Sequence, residues 1–128
     1  MDYQPPKTAQ ELIQRYALGE RTFSDVDFCE RDSHGNYPNF DGAQLTNIVF
    51  HDSFICASFR RACLRNAISH CNMKGSDFAE ADVRNSSFVG CAVDGTIFDR
   101  AKLEGIVFTG AFYQGCELKK GEYPEHED

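Results

Sequence analysis

Residues 76–90 read Ser76-Asp77-Phe78-Ala79-Glu80-Ala81-Asp82-Val83-Arg84-Asn85-Ser86-Ser87-Phe88-Val89-Gly90. A large apolar residue recurs at Phe78, Val83 and Phe88, every fifth position, and a small residue stands two places before each, at Ser76, Ala81 and Ser86. A period of five matches neither the 3.6 of a helix nor the 2 of a plain strand. It suits a chain that makes a short extended segment, turns a corner and repeats. The large centre and the small residue before it then point inward, and the remaining three face solvent.

Outward from this stretch the beat holds over most of the chain. Toward the C-terminus the centres are Val93, Phe98, Leu103, Phe108, Tyr113, Leu118 and Tyr123, and toward the N-terminus Met73 and Ile68. A four-residue step then leads to Leu64, Phe59 and Phe54, and a second to Phe50, Leu45 and Phe40, with Phe23 and Phe28 a further pair at spacing five. Ten of the 11 Phe residues fall in this series, and Phe112 does not. Gly recurs two places after the centres, at Gly42, Gly75, Gly90, Gly95, Gly105, Gly110 and Gly115. Turns that need a positive φ favour glycine there.

The segments Ala43-Gln44-Leu45, Ala57-Ser58-Phe59, Ser76-Asp77-Phe78, Ala81-Asp82-Val83 and Ala101-Lys102-Leu103 resemble the A-(D/N)-L-x-x unit of pentapeptide repeat proteins. The resemblance implies an all-β solenoid: a right-handed quadrilateral β-helix with one pentapeptide on each of four faces, here about five coils. The sequence departs from the unit at the two four-residue steps, at Ile48 and Ile106 in the small position, and at Asn66. No coil of such a stack can bury its own face, so neighbouring coils supply the core and the open ends need caps.

One cap is legible. Thr8-Ala9-Gln10-Glu11 has the capping-box form, Leu12, Ile13, Tyr16 and Ala17 share one helical face, and Gly19 is a stop signal. The expected organisation is an N-terminal tail and capping helix over residues 1–20, a repeat region over 21–123, and an acidic tail over 124–128. Within the repeat region, residues 29–39 put eleven residues where one repeat would leave four. Arg31, Asp32, His34 and Tyr37 in that insertion are candidate functional residues, since loops on rigid scaffolds often carry function.

The chain has 128 residues and a formal charge of -7. The acid sits at the ends. Residues 1–39 hold four basic and seven acidic groups, residues 40–113 seven and eight, and residues 114–128 two and five. The resemblance raises a DNA-mimic reading, because some family members act on type II topoisomerases, which would make DNA gyrase or topoisomerase IV the partner. A nearly neutral coil body argues against it, since imitating a duplex needs a continuous acidic face. An acidic chain is equally unsuited to direct nucleic-acid binding. No apolar run reaches membrane-spanning length, and the polar start has no apolar signal core, so a cytoplasmic location is expected. The six cysteines contain no C-x-x-C pair, and neither they nor the four histidines have metal-ligand spacing. No metal, cofactor or catalytic group is expected. Cys71 and Cys91, one coil apart in the small position, are expected to be reduced neighbours.

Grouping the centres by face isolates two adjacent charge-poor faces. One is centred on Phe50, Ile68, Phe88 and Phe108, the other on Phe54, Met73, Val93 and Tyr113. They are expected to turn Val49, Ile55, Val89, Val107 and Phe112 outward, a candidate surface for a protein partner or a second copy of the chain. The function expected is a non-enzymatic scaffold for protein–protein interaction.

Overall fold

The computed structural model describes residues 2–124. The five-residue beat is built from tight turns. In the regular repeats the N–H three places on donates back to the centre's carbonyl, as from Ala81 to Phe78 (3.0 Å), Ser86 to Val83 (3.2 Å) and Cys91 to Phe88 (3.1 Å). The third residue of each such turn has positive φ, the mark of a type II turn. Gly90 (73°) fills it without strain, but Arg61 (58°), Glu80 (60°), Asn85 (59°) and Arg100 (59°) adopt the same conformation. The turn is therefore imposed by the ladders on both sides of it, with glycine only the easiest occupant.

Four parallel ladders join segments 18 to 20 residues apart, except at the first step of the third and fourth, which passes over the insertion and spans 27. The first runs through Asn39, Ser58, Asp77 and Ile97, and the second through Gln44, Cys63, Asp82 and Lys102. The third runs Thr22, Val49, Ile68, Ser87 and Val107, and the fourth Asp27, Phe54, Asn72, Ala92 and Phe112. In the last two ladders the longer strands β1 (Thr22–Ser24), β2 (Asp27–Phe28), β3 (Val49–Ile55) and β4 (Ile68–Asn72) replace single bridges. The residue after each ladder position points inward. The first face thus buries Phe40, Phe59, Phe78 and Phe98, whose rings stack at 4.9, 5.0 and 5.0 Å between centroids. The third buries Phe23, Phe50, Phe88 and Phe108, and its rings meet those of the first edge-on, as Phe78 meets Phe88 at 5.7 Å and 67°. The second and fourth faces contribute aliphatic side chains, among them Leu45, Leu64, Val83, Ile55, Met73 and Val93.

Two expected centres are wrong. Phe54 and Ile68 are 55% and 40% exposed, while Ile55 is 1% exposed and Ser69 is buried. Counting by fives from Phe50 and from Leu64 gives Ile55 and Ser69, so the four-residue steps fall one residue later, at Ile55 to Phe59 and Ser69 to Met73. Apolarity alone misplaced them: Phe54 and Ile55 are both apolar, and Ile68 outranks Ser69. The alternation inside β3 and β4 decides, because a one-residue slip moves every side chain to the other surface. Ser53 is buried, and its hydroxyl accepts from the Val26 N–H (3.0 Å) and donates to the His51 carbonyl (2.8 Å). Ile55, assigned above to the exposed surface, is a core residue. Nine Phe residues, not ten, lie inside.

Ser69 takes a ring's place in the third face, and its Oγ is buried with no hydrogen-bond partner. A buried hydroxyl without a partner costs about 1–3 kcal/mol. Ser69→Ala is expected to raise stability by about 1 kcal/mol, read as a higher urea midpoint at unchanged m-value.

The ends differ in construction. Helix α1 (Ala9–Ala17) starts at the Thr8 N-cap, whose Oγ1 accepts from the Glu11 N–H at 3.0 Å. It stops in a Schellman motif, with the Gly19 N–H bonded to the Tyr16 carbonyl and the Glu20 N–H to that of Arg15, both at 3.0 Å. Leu12 and Ala9 enter the core, and the Tyr16 hydroxyl donates to the Thr46 carbonyl at 2.5 Å. At the other end the parallel pattern stops at Phe112. Strand β5 (Phe112–Tyr113) pairs antiparallel with β6 (Cys116–Glu117), so Leu118 reaches the core by reversal of the chain. The Tyr123 ring closes edge-on over Phe108 at 5.9 Å. Of the acidic tail only Pro124 lies within the described residues. Among these, no helix is long and apolar enough to cross a membrane.

Candidate functional site

The outward residues of the third ladder are Thr22, Val49, Ile68, Ser87 and Val107, and the next outward residues in each segment are Ser24, His51, His70, Val89 and Thr109. None carries a formal charge at neutral pH apart from what the two histidines take up. The His51 and His70 rings stack at 5.9 Å and 20°. On the adjoining fourth ladder, Phe54 and Phe112 stand outward. Four large apolar side chains are thus exposed on two neighbouring faces: Phe54 (55%), Ile68 (40%), Val107 (42%) and Phe112 (51%). Of the five residues expected here, Val107 and Phe112 are exposed, Val49 and Val89 are half-buried, and Ile55 is inside. Sequence reasoning missed Phe54 and Ile68 because it spent them on the core.

The first and second faces are charged and internally neutralised. Arg60 lies 3.9 Å from Asp77, Arg65 4.0 Å from Asp82, and Glu80 3.8 and 3.7 Å from Arg61 and Arg100. Asp82 takes two hydrogen bonds from Arg84 (2.9 and 2.8 Å), which hold its carboxyl below the usual range. Exposed pairs such as these are worth little in stability. Their consequence is electrostatic, because the acids of the coil body do not form an unbroken negative strip.

The 29–39 insertion is self-organised. Asp32 Oδ1 accepts from the N–H groups of His34 (2.8 Å) and Asn36 (2.9 Å), so Asp32 holds the loop's own turn. Arg31 donates to the Tyr37 hydroxyl at 2.8 Å and lies 4.5 Å over its ring. His34 is exposed at the tip. Arg31, Asp32 and Tyr37, together with Lys7, Gln10, Asp27 and Ser58, line a groove of about 810 Å³ between the loop and the start of α1. His34 does not reach it.

Cys71 and Cys91 are neighbours as expected. Their mutual hydrogen bond and burial push the Cys71 thiol up, and Cys91 also donates to the Ser69 carbonyl at 2.9 Å. No group of three or more His, Cys, Asp or Glu side chains gathers as a metal cage among the described residues.

The family model for pentapeptide repeats matches residues 69–100, in eight copies. Over that stretch the chain is a run of pentapeptide repeats. The matched stretch opens on the short step from Ser69 to Met73 and then runs in steps of five through Phe78, Val83, Phe88, Val93 and Phe98. Outside it lie the other short step, the insertion and the terminal hairpin. Among solved structures, the chain is similar to alr5209, a pentapeptide repeat protein from Nostoc Pcc 7120, with 20% identity over 94% of this chain and 93% of that one and a TM-score of 0.45. It is also similar to the pentapeptide repeat protein Rfr23 from the cyanobacterium Cyanothece 51142, with 15% identity over 67% and 79% of the two chains and a TM-score of 0.30. No curated protein matches it.

Proposed function

We propose that this protein is a non-enzymatic, cytoplasmic scaffold that binds a protein partner through its two charge-poor faces. The underlying frame is a right-handed quadrilateral β-helix of about five coils. Ladders that recur every 18 to 20 residues, and rings that meet edge-on across the interior, support that closure. The observation that carries the functional reading is the exposure of Phe54, Ile68, Val107 and Phe112 together on adjacent ladders. Contiguous exposed apolar patches on a folded chain mark contact surfaces more than scattered ones do. A rigid frame strengthens the case, since little ordering entropy is lost when a preformed flat face docks.

The test replaces Phe54 and Phe112 with Glu. Both side chains are outside the core, so thermal unfolding is expected to change by less than ~1 kcal/mol in equivalent stability. Co-purification of a native-lysate partner is expected to fall at least tenfold, which corresponds to about 1.4 kcal/mol of binding. Unchanged capture by the double variant would overturn the reading. Topoisomerase modulation by duplex mimicry finds less support, because Arg60, Arg61, Arg65, Arg84 and Arg100 interrupt the acidic groups of the coil body. A gyrase supercoiling assay with the purified protein separates the two readings.

A further inference from the structure

We propose that Cys29 and Cys56 form an oxidative modification site, a dithiol that closes to a disulfide under a small disulfide oxidant of the glutathione class and clamps the start of the 29–39 loop to the fourth face. The argument begins from register. Phe28 pairs with Ile55 in parallel, and the Cys56 N–H donates to the Phe28 carbonyl at 3.0 Å, which sets Cys29 beside Cys56 on adjacent segments. Neighbouring strands are about 4.8 Å apart, inside the range of Cα separations that disulfides span. The two thiols are close enough to feel each other electrostatically.

Their surroundings differ from those of the buried Cys71–Cys91 pair. Cys29 is exposed and Cys56 half-exposed, so a soluble oxidant can reach them. The Arg31 guanidinium lies within electrostatic reach of Cys56. Reactive thiols are found in such partly exposed, cation-bearing settings. Cys29 is also the residue at which the chain leaves the ladder for the loop, so its backbone can close the last part of the distance. Cys71 is hemmed in by the Asn72–Ala92 bridge next to it. The Cys56 sulfur now rests near Gly75, 3.2 Å from where a Cβ would stand there. A χ1 rotation frees it from that position.

The chemistry balances as thiol–disulfide exchange. The Cys56 thiolate attacks one sulfur of the oxidant, breaking its S–S bond and releasing one small thiol. Desolvation and Asp27 keep Cys29 in the thiol form, which suits it to the resolving step. As it loses its proton it attacks the Cys56 sulfur of the mixed disulfide and expels the second small thiol. Two protein thiols are oxidised by two electrons, and the oxidant leaves as two thiols.

The folded full chain is treated with oxidised glutathione, alkylated and digested without reduction, and the peptides are identified by mass spectrometry. The expected product is a Cys29–Cys56 cross-linked peptide, absent from Cys29→Ser and Cys56→Ser. Oxidation is expected to raise the wild-type unfolding midpoint by roughly 5 °C and to leave both variants unmoved. Separate glutathione adducts on Cys29 and Cys56 without the cross-link overturn the proposal. So does a cross-link that forms only after denaturation.

Discussion

Phe78→Ala is expected to destabilise the protein by about 3–5 kcal/mol, the range for removing a fully buried Phe ring. Phe78 stacks on Phe59 and Phe98, both at 5.0 Å, and meets Phe88 edge-on at 5.7 Å. Its removal therefore leaves a void with rings on three sides. The backbone cannot collapse into it, because the ladder bonds from the Phe59 N–H to the Asp77 carbonyl (2.7 Å) and from the Phe78 N–H to that of Ile97 (2.7 Å) fix the coils on either side. Phe78→Leu refills part of the space and should recover part of the loss. Urea unfolding followed by far-UV circular dichroism checks both. Stability within 1 kcal/mol of wild type for Phe78→Ala would mean that the ring ladder is not the core.

The second large effect concerns the open end. Leu12→Asp is expected to cost at least about 3 kcal/mol, since it puts an unpaired carboxylate where a side chain has no exposure. It should also convert a monodisperse protein into an aggregating one. Helix α1 covers the first coil through Leu12 and Ala9, and the Tyr16 hydroxyl secures it at Thr46. With the helix detached, the unpaired edges of the first segments become templates for another chain. Size-exclusion chromatography with light scattering reads this directly. Leu18→Lys, at the exposed C-cap where a cation suits the helix end, is the charged control and should change neither stability nor size.

The Thr8 cap and the stop at Gly19 were legible because capping is local chemistry, carried by residues three or four places apart. The ring ladder of the first face was legible for a related reason: Phe59, Phe78 and Phe98 each stand five residues before the next centre, at Leu64, Val83 and Leu103. The series failed at Phe54 and Ile68, where two apolar residues adjoin or where the true inward residue is a serine. The pairing of Val49 with Ile68 and of Phe54 with Asn72 sets the inward side there, and no window of sequence contains that pairing. The candidate surface inherited the error, with Ile55 in place of Phe54 and Ile68. In the loop, Asp32 stood out by residue type and holds the turn while also lining the groove, whereas no local pattern marks that Arg31 and Tyr37 share that groove with the start of α1.

A period of five is a one-dimensional property, and it determined by itself that short segments alternate with tight turns and that Phe lines the interior, while the capping signals at Thr8 and Gly19 determined the N-terminal helix. Which side of an irregular segment faces inward is a matter of register between chains of atoms some twenty residues apart, so only the tertiary structure could turn Phe54 and Ile68 outward. The reversal at β5 and β6 belongs to the same class. Its pentapeptide spacing continues through Leu118 and Tyr123, yet β6 pairs antiparallel with β5 in place of another parallel step.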